Sequence, residues 1–128
     1  MGATSFSVTV DYDVRSANWW ADRWTKGKVF QKQQRKRQDK LLGYCLGRQC
    51  KLKPPVLITF TRHSAGKLDD DNLEGGLKHI RDGFCAGMLN MPLERAGLAD
   101  GVAGLSFAYK QKACGRRIHK ITIDVTRC

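Results

Sequence analysis

Apolar and polar residues alternate from Phe6 to Tyr12, with Phe6, Val8, Val10 and Tyr12 on one side and Ser7, Thr9 and Asp11 on the other. A period of two marks a strand with one buried face. The pattern changes from about Gly27 to Leu46, a stretch without Pro that is rich in the helix formers Lys, Gln, Arg and Leu. Its apolar residues Val29, Phe30, Leu41, Leu42, Cys45 and Leu46 sit at the two ends, and the middle, QKQQRKRQDK, is polar all round. A helix with such a middle cannot be buried along its whole length. Pro54 and Pro55 close the segment, since neither continues a helix. A second strand follows, with Val56, Ile58 and Phe60 on one face and Leu57, Thr59 and Thr61 on the other. From Asn72 to about Asn90, Leu73, Leu77, Ile80, Phe84 and Met88 recur at steps of three and four, which predicts an amphipathic helix. Met91, Pro92 and Gly97 predict a loop reaching Gly104. Two last strands carry Leu105, Phe107, Tyr109 and Gln111, then Ile121, Ile123 and Val125, with Cys114 and Gly115 as the hairpin turn between them.

The predicted order, β-α-β-α-β-β, implies an α/β (α+β) fold with a mixed sheet of about four strands and two main helices. The 128 residues suffice for one core, so residues 1–128 are read as a single domain without internal repeats. No apolar run approaches the roughly 20 residues of a membrane span, and the N-terminus lacks the pattern of a secretory signal. Five cysteines without a C-x-x-C pair suggest reduced thiols, with a zinc site on Cys45 and Cys50 as the less regular alternative. The expected compartment is the cytoplasm.

Charge changes this picture. Lys and Arg number 23 against 12 Asp and Glu, a net charge of +11 with mean hydropathy −0.45. Between Lys26 and Lys53 lie ten Lys or Arg and a single acid, Asp39. Lys28, Lys32, Arg35, Lys36, Arg37 and Lys40 crowd into the polar middle and its approach. Such a concentration is either a solvated face or a phosphate-binding one, and a nucleic acid would relieve the repulsion by counterion release. A calmodulin-type or membrane-surface helix would need a continuous apolar stripe, which is missing. The neighbouring Trp19, Trp20 and Trp24 could stack on bases or belong to a core or dimer interface.

Against this basic background, four of the twelve acids fall within six residues, in Lys67-Leu68-Asp69-Asp70-Asp71-Asn72-Leu73-Glu74. Adjacent carboxylates repel one another unless a cation neutralises them. One of them could cap the following helix, with the others favoured by its dipole. Alternatively they supply hard oxygen ligands for Mg²⁺ or Mn²⁺: in extended geometry Asp69 and Asp71 point the same way, and Asp100, ahead of the third strand, is the candidate third ligand. Arg62 and Lys67 flank the cluster and either contact phosphate or balance charge. Carboxylates amid cations are the arrangement that metal-dependent phosphodiester cleavage requires.

Leu68-Asp69-Asp70-Asp71-Asn72-Leu73, Leu77-Lys78, Ile80-Arg81-Asp82-Gly83, the Asp100-Gly101 loop and Phe107-Ala108-Tyr109-Lys110-Gln111 resemble the RusA-like Holliday-junction resolvases in their phage and prophage form. The resemblance covers about the C-terminal two thirds, with Asn18 and the basic helix as weaker N-terminal matches. It implies a homodimeric Mg²⁺-dependent endonuclease that cuts branched DNA, the four-way junction above all, with neither a membrane nor a small molecule as partner. The family's metal ligands fall on Asp69, Asp71 and Asp100, and its Asn on Asn72. Two departures stand out: Ala99 precedes Asp100 where the family often has a second acid, and Gly75 occupies the place of its usual Lys. Lys78 is spaced four before Asp82, as the family's Lys is before its Asp. If a helix begins at Asp71, then Asp71, Lys78 and Asp82 share a face, and Lys78 either serves the site or is an ordinary exposed lysine. Gly75 and Gly76 cost such a helix about 1 kcal/mol each relative to Ala, so a close approach to the sheet, a second protomer or DNA is expected to compensate. The expected function is junction resolution in recombination and repair; a non-catalytic DNA-binding recombination accessory protein and a metal-dependent ribonuclease are the alternatives.

Overall fold

The computed structural model describes residues 5–16, 19–20 and 28–128; the expectations for Asn18, Trp24 and Lys26 lie outside them. The elements are β1 (Ser5–Asp11), α1 (Lys28–Gln49), β2 (Val56–Ser64), α2 (Asp70–Met88), a 3-10 turn (Leu93–Arg95), α3 (Ala96–Ala99), β3 (Leu105–Ala113) and β4 (Lys120–Arg127). The expected β-α-β-α-β-β order holds, forming a small α+β domain around one mixed sheet. The stretch 91–104, predicted as loop, contains the 3-10 turn and α3. A helix of four residues is too short to show a period, although its Ala96 and Ala99 are buried.

The sheet order is β1-β4-β2-β3, antiparallel except for the parallel pair β2 and β3. The predicted β3–β4 hairpin is therefore incorrect. β3 returns through α2 to lie parallel to β2, as a strand-helix-strand crossover allows, and β4 inserts on the other side of β2. The chain passes the end of β2 where Cys114 N donates to Ser64 O at 3.0 Å. Inserted between β1 and β2, β4 can bury Ile121, Ile123 and Val125 completely; at the sheet edge it could not.

Val56, Ile58 and Phe60 of β2 join these residues against Leu73, Leu77, Ile80 and Phe84 of α2. Phe60 meets Phe84 edge-on at 6.3 Å and stacks on Tyr109 at 5.9 Å. The alternate positions, including Thr9, Thr59, Thr61 and Thr122, give the sheet its polar face, as an antiparallel sheet with one solvated side requires.

α1 is seated on α2 by backbone contact. A Cβ on Gly43 would fall 2.1 Å from Ile80 O, on Gly47 2.2 Å from Phe84 O, on Gly83 2.0 Å from Lys40 O and on Gly87 2.2 Å from Tyr44 O. Two Gly-x-x-x-Gly pairs thus interlock, which is how a helix without an apolar stripe reaches the interior. The lone acid of the basic segment, Asp39, is fully buried. Tyr12 OH donates to its Oδ1, Arg35 Nε donates to the same oxygen at 3.0 Å, and the Arg35 guanidinium lies 4.5 Å over the Tyr12 ring. Among the described residues, no helix is long and apolar enough to cross a membrane.

Candidate active site

The acidic cluster is presented by a latch on β3. Gln111 Oε1 accepts from Leu68 N at 2.8 Å, and its Nε2 donates to Leu68 O at 2.6 Å. This fixes the backbone one residue before Asp69, where the chain turns into α2. Asp69 is extended (φ −61, ψ 155) and its carbonyl accepts the first helical bond, from Leu73 N at 2.9 Å, but its side chain makes no capping bond. Asp70 and Asp71 stand in the first turn, where the helix dipole favours negative charge. Among the described residues the carboxylates of Asp69, Asp70 and Asp71 accept no hydrogen bond and form no ion pair. No side-chain cap forms, and of the capping reading only the dipole's preference for Asp70 and Asp71 in the first turn remains.

Because α2 starts at Asp70, the extended alternation expected for Asp69 and Asp71 does not occur. Helical geometry instead sends Asp71 down the helix toward Glu74, Gly75, Lys78 and Arg81, which together line a shallow cavity of about 330 Å³. The expected face carrying Asp71 and Lys78 is present in the cavity, whereas Asp82, one turn further, is buried. The two adjacent glycines answer separate needs. Gly75 leaves the cavity wall without a side chain, whereas a Cβ on Gly76 would lie 2.1 Å from Arg15 O, in the chain following β1.

Arg81 ties the cavity to β3 and to Asp100. Its Nη2 pairs with Asp100 Oδ2 at 2.9 Å, its Nη1 donates to Tyr109 OH at 2.7 Å and lies 3.7 Å from Glu74 Oε1, and its guanidinium is 5.4 Å from the Phe107 ring centroid. Desolvation opposes its charge, but the Tyr109 hydrogen bond and the nearby Asp100 and Asp82 more than offset this, raising its pKa above the ordinary value. Beside it Asp82 is 2% exposed, with no partner for Oδ1 among the described residues. Burial and then repulsion from Asp100 push its carboxyl up to about 6, despite Arg81, Lys78 and Lys40.

Of the expected ligands, Asp71 lies in the cavity, Asp69 at the start of the same helix, and Asp100 at the end of α3 in the grip of Arg81. Among the described residues no three Asp, Glu, His or Cys side chains converge closely enough to hold a metal ion directly. The donors at hand are all hard carboxylate oxygens, the chemistry Mg²⁺ and Mn²⁺ prefer. The positioning residues Tyr109 and Gln111 carried a sequence signal: with Phe107 they alternate along β3, and all three contact α2 or the turn leading into it.

The basic helix packs on the same α2 through Gly43 and Gly47. Lys36 and Arg37 are exposed, and Lys32 and Lys40 are half-buried; Lys28 opens α1, but its side chain lies outside the described residues. Arg35, expected to face DNA, turns inward to Asp39 and donates to Asp13 O. His79, on α2, locates the others: desolvation first, then Lys36, Lys40 and Lys78, push its pKa down to about 4. The His79 ring thus feels cations of both α1 and α2. Trp20 packs edge-on against His79 at 4.7 Å, and Trp19 lies within 5.4 Å of Arg15 and 5.9 Å of Lys32. Arg62 donates to Gly66 O at 2.8 Å and so braces the turn before the acidic cluster, while Lys67 is exposed. No protein-family model matches the chain, and no curated protein matches its sequence.

Proposed function

We propose that this protein is a Mg²⁺-dependent, structure-specific DNA endonuclease that resolves four-way junctions or related branched DNA, acting as a homodimer in the cytoplasm. The observation carrying the reading is a shallow cavity in which Asp71 and Glu74 lie with Lys78 and Arg81, its leading carboxylates unpaired among the described residues, on the helix against which the basic α1 packs. The resemblance of these same segments to RusA-like resolvases supports it. Asp71 and Glu74 in the cavity, with Asp69 and Asp100 beside it, are the residues that would hold the metal. Mg²⁺, or Mn²⁺ in its place, would supply Lewis-acid stabilisation at phosphorus and a more acidic water. The chain's own contribution is positioning: Lys78 and Arg81 meet phosphate oxygens, and the α1 cations hold the DNA arms through counterion release. Exposed Val29 (63%), Phe30 (66%) and Leu41 on α1 are apolar surface for a second protomer.

Cleavage of a four-way junction in Mg²⁺ against EDTA tests the reading. Asp71→Asn is expected to abolish cutting while leaving junction binding unchanged or tighter; undiminished cutting would remove Asp71 from the site. A non-catalytic junction-binding protein is the second reading, favoured by Arg81 holding Asp100 away from Asp71, and it predicts binding without cleavage in any divalent ion.

A further inference from the structure

We infer that a second cavity, at the C-terminal ends of α1 and α2, is a nucleic-acid contact in which Arg48, Lys51 and Lys53 hold consecutive phosphodiester groups of one DNA strand. The inference rests on reading the chain as a DNA-binding protein, with or without cleavage. It starts from the glycine contacts. Gly83 and Gly87 of α2 face Lys40 O and Tyr44 O of α1, and Gly43 and Gly47 of α1 face Ile80 O and Phe84 O of α2. Residue numbers rise together along both helices, so α1 and α2 run parallel, and their ends at Gln49 and Met88 lie side by side. There a cavity of about 300 Å³ opens, lined by Arg48, Lys51, Lys53, Gly87, Met88 and Asn90 among others, with no acid in its wall. Asp71 is at the other end of α2, about 25 Å away at 1.5 Å per residue, so this cavity is separate from the acidic one.

Part of this positive charge serves the helices. Each C-terminus carries about half a negative charge, so the paired ends present about −1 and favour cations beside them. Lys51 Nζ meets this need by donating to Arg48 O at 3.2 Å. Other terminal carbonyls are closed by the backbone: Cys50 N donates to Gly47 O at 3.0 Å, Leu89 N to Cys85 O at 2.9 Å and Met91 N to Ala86 O at 2.8 Å. Three cations against about −1 leave a surplus of about two charges. No acid takes it up, since among the described residues Arg48, Lys51 and Lys53 form no ion pair, and all three are exposed. Two adjacent phosphodiesters carry the matching charge. Arg48 Nη1 donates to Tyr44 OH at 3.3 Å, with the guanidinium 5.8 Å over the Tyr44 ring, and Asn90, which ends α2 at φ 57, adds a neutral amide donor to the wall. Lys36, Lys40, Tyr44 and Arg48 follow at steps of four along α1, so a row of cations leads along the helix into the cavity. A free phosphate would need only the cavity, whereas a strand uses the row as well.

The test measures binding of a duplex and of a four-way junction in EDTA, by fluorescence anisotropy across a salt series. It compares wild type with Lys51→Ala/Lys53→Ala and with the charge-matched Lys112→Ala/Lys120→Ala on the solvated face of the sheet. Each phosphate contact adds about 0.9 to the slope of log affinity against log salt. The cavity pair should therefore flatten the slope by about two, and the sheet pair should leave it unchanged. If the cavity pair does not fold, Lys53→Ala, which lies beyond α1 and makes no hydrogen bond among the described residues, should flatten it by about one. One slope for all the proteins overturns the site, as does equal flattening by both pairs, which would mean diffuse attraction alone. A thermal midpoint raised by pyrophosphate in wild type but not in the cavity pair, with the DNA slope unchanged, overturns the strand contact and gives the cavity to a free phosphate. Wild type that binds no DNA overturns the site together with the proposed function. The expected flattening with no junction cleavage in Mg²⁺ upholds the site and overturns the nuclease alone.

Discussion

Helix α2 meets the sheet with Leu73, Leu77, Ile80 and Phe84, whereas helix α1 meets α2 with Gly43, Gly47 and the backbone carbonyls of Lys40 and Tyr44. The first contact is stabilised by removing apolar surface from water, about 1.5–3 kcal/mol for each large side chain fully buried. The second gains little from that source and depends on close backbone approach, with the Asp39, Arg35 and Tyr12 network fixing the register. The difference matters for function. A helix that needs no apolar stripe can carry Lys36, Arg37 and Lys40 around its remaining surface, and a helix already anchored to the sheet can devote its other side to Asp71, Glu74, Lys78 and Arg81.

The largest expected effect breaks the glycine contact. Gly83→Ala places a Cβ 2.0 Å from Lys40 O, a backbone atom with no flexible end to move aside. Overpacking of this kind costs about 3 kcal/mol or more, readable as a lower denaturant midpoint. Gly97→Ala, where nothing lies within 4 Å, is the control and should change stability little. If Gly83→Ala were tolerated as well as its control, α1 would not be held by backbone contact, and the contrast with α2 would fail.

Buried aspartates sharpen the comparison, because each helix carries one. Asp39 on α1 receives hydrogen bonds from Tyr12 and Arg35, whereas Asp82 on α2 leaves Oδ1 without a partner among the described residues. With its carboxyl raised from 3.8 to about 6 by burial and by Asp100, Asp82 binds its proton more tightly in the folded chain than in the unfolded one. The stability this confers is fully present below pH 3.8 and is lost as pH rises through about 6. At pH 7 its ionised form costs up to about 3 kcal/mol. Asp82→Asn in EDTA should therefore be more stable than wild type at pH 7, and its stability should vary less between pH 4 and 6.5. A wild-type profile rising with pH across that window would mean that Asp82 is neutralised by nearby cations in the folded chain and that its carboxyl is not raised.

How far the sequence could be read follows the same division. Leu73, Leu77, Ile80 and Phe84, and the alternation in β2 and β4, were legible because burial of apolar side chains repeats with the period of the element. The seating of α1 was not, since glycine and a buried acid leave no hydrophobic period; only the repeated Gly-x-x-x-Gly at 43–47 and 83–87 marks it. The exchange of β3 and β4 around β2 was hidden as well, because alternation assigns a face to each strand but no neighbour. At the site, Asp71 and Lys78 were legible from their spacing and do share the cavity. The hold of Arg81 on Asp100 depends on where α3 packs, which no local pattern encodes.

The smallest expected effect concerns His79, where the two helices act on one ring. Its pKa of about 4 reflects desolvation first and then the charges of Lys36 and Lys40 on α1 and Lys78 on α2. If those lysines are the DNA-binding face, bound phosphates will neutralise them and remove the electrostatic part of the depression. Burial against Trp20 remains, so the shift should be partial. An NMR titration of the imidazole, alone and with a saturating branched DNA, is expected to show His79 moving up from about 4 without reaching its ordinary 6.5. Lys36→Ala in the free protein should produce a smaller rise of the same sign. A value unmoved by DNA but raised by Lys36→Ala would place the nucleic acid away from the α1–α2 junction, leaving the positive charge there to tune the cavity and not to grip a DNA arm.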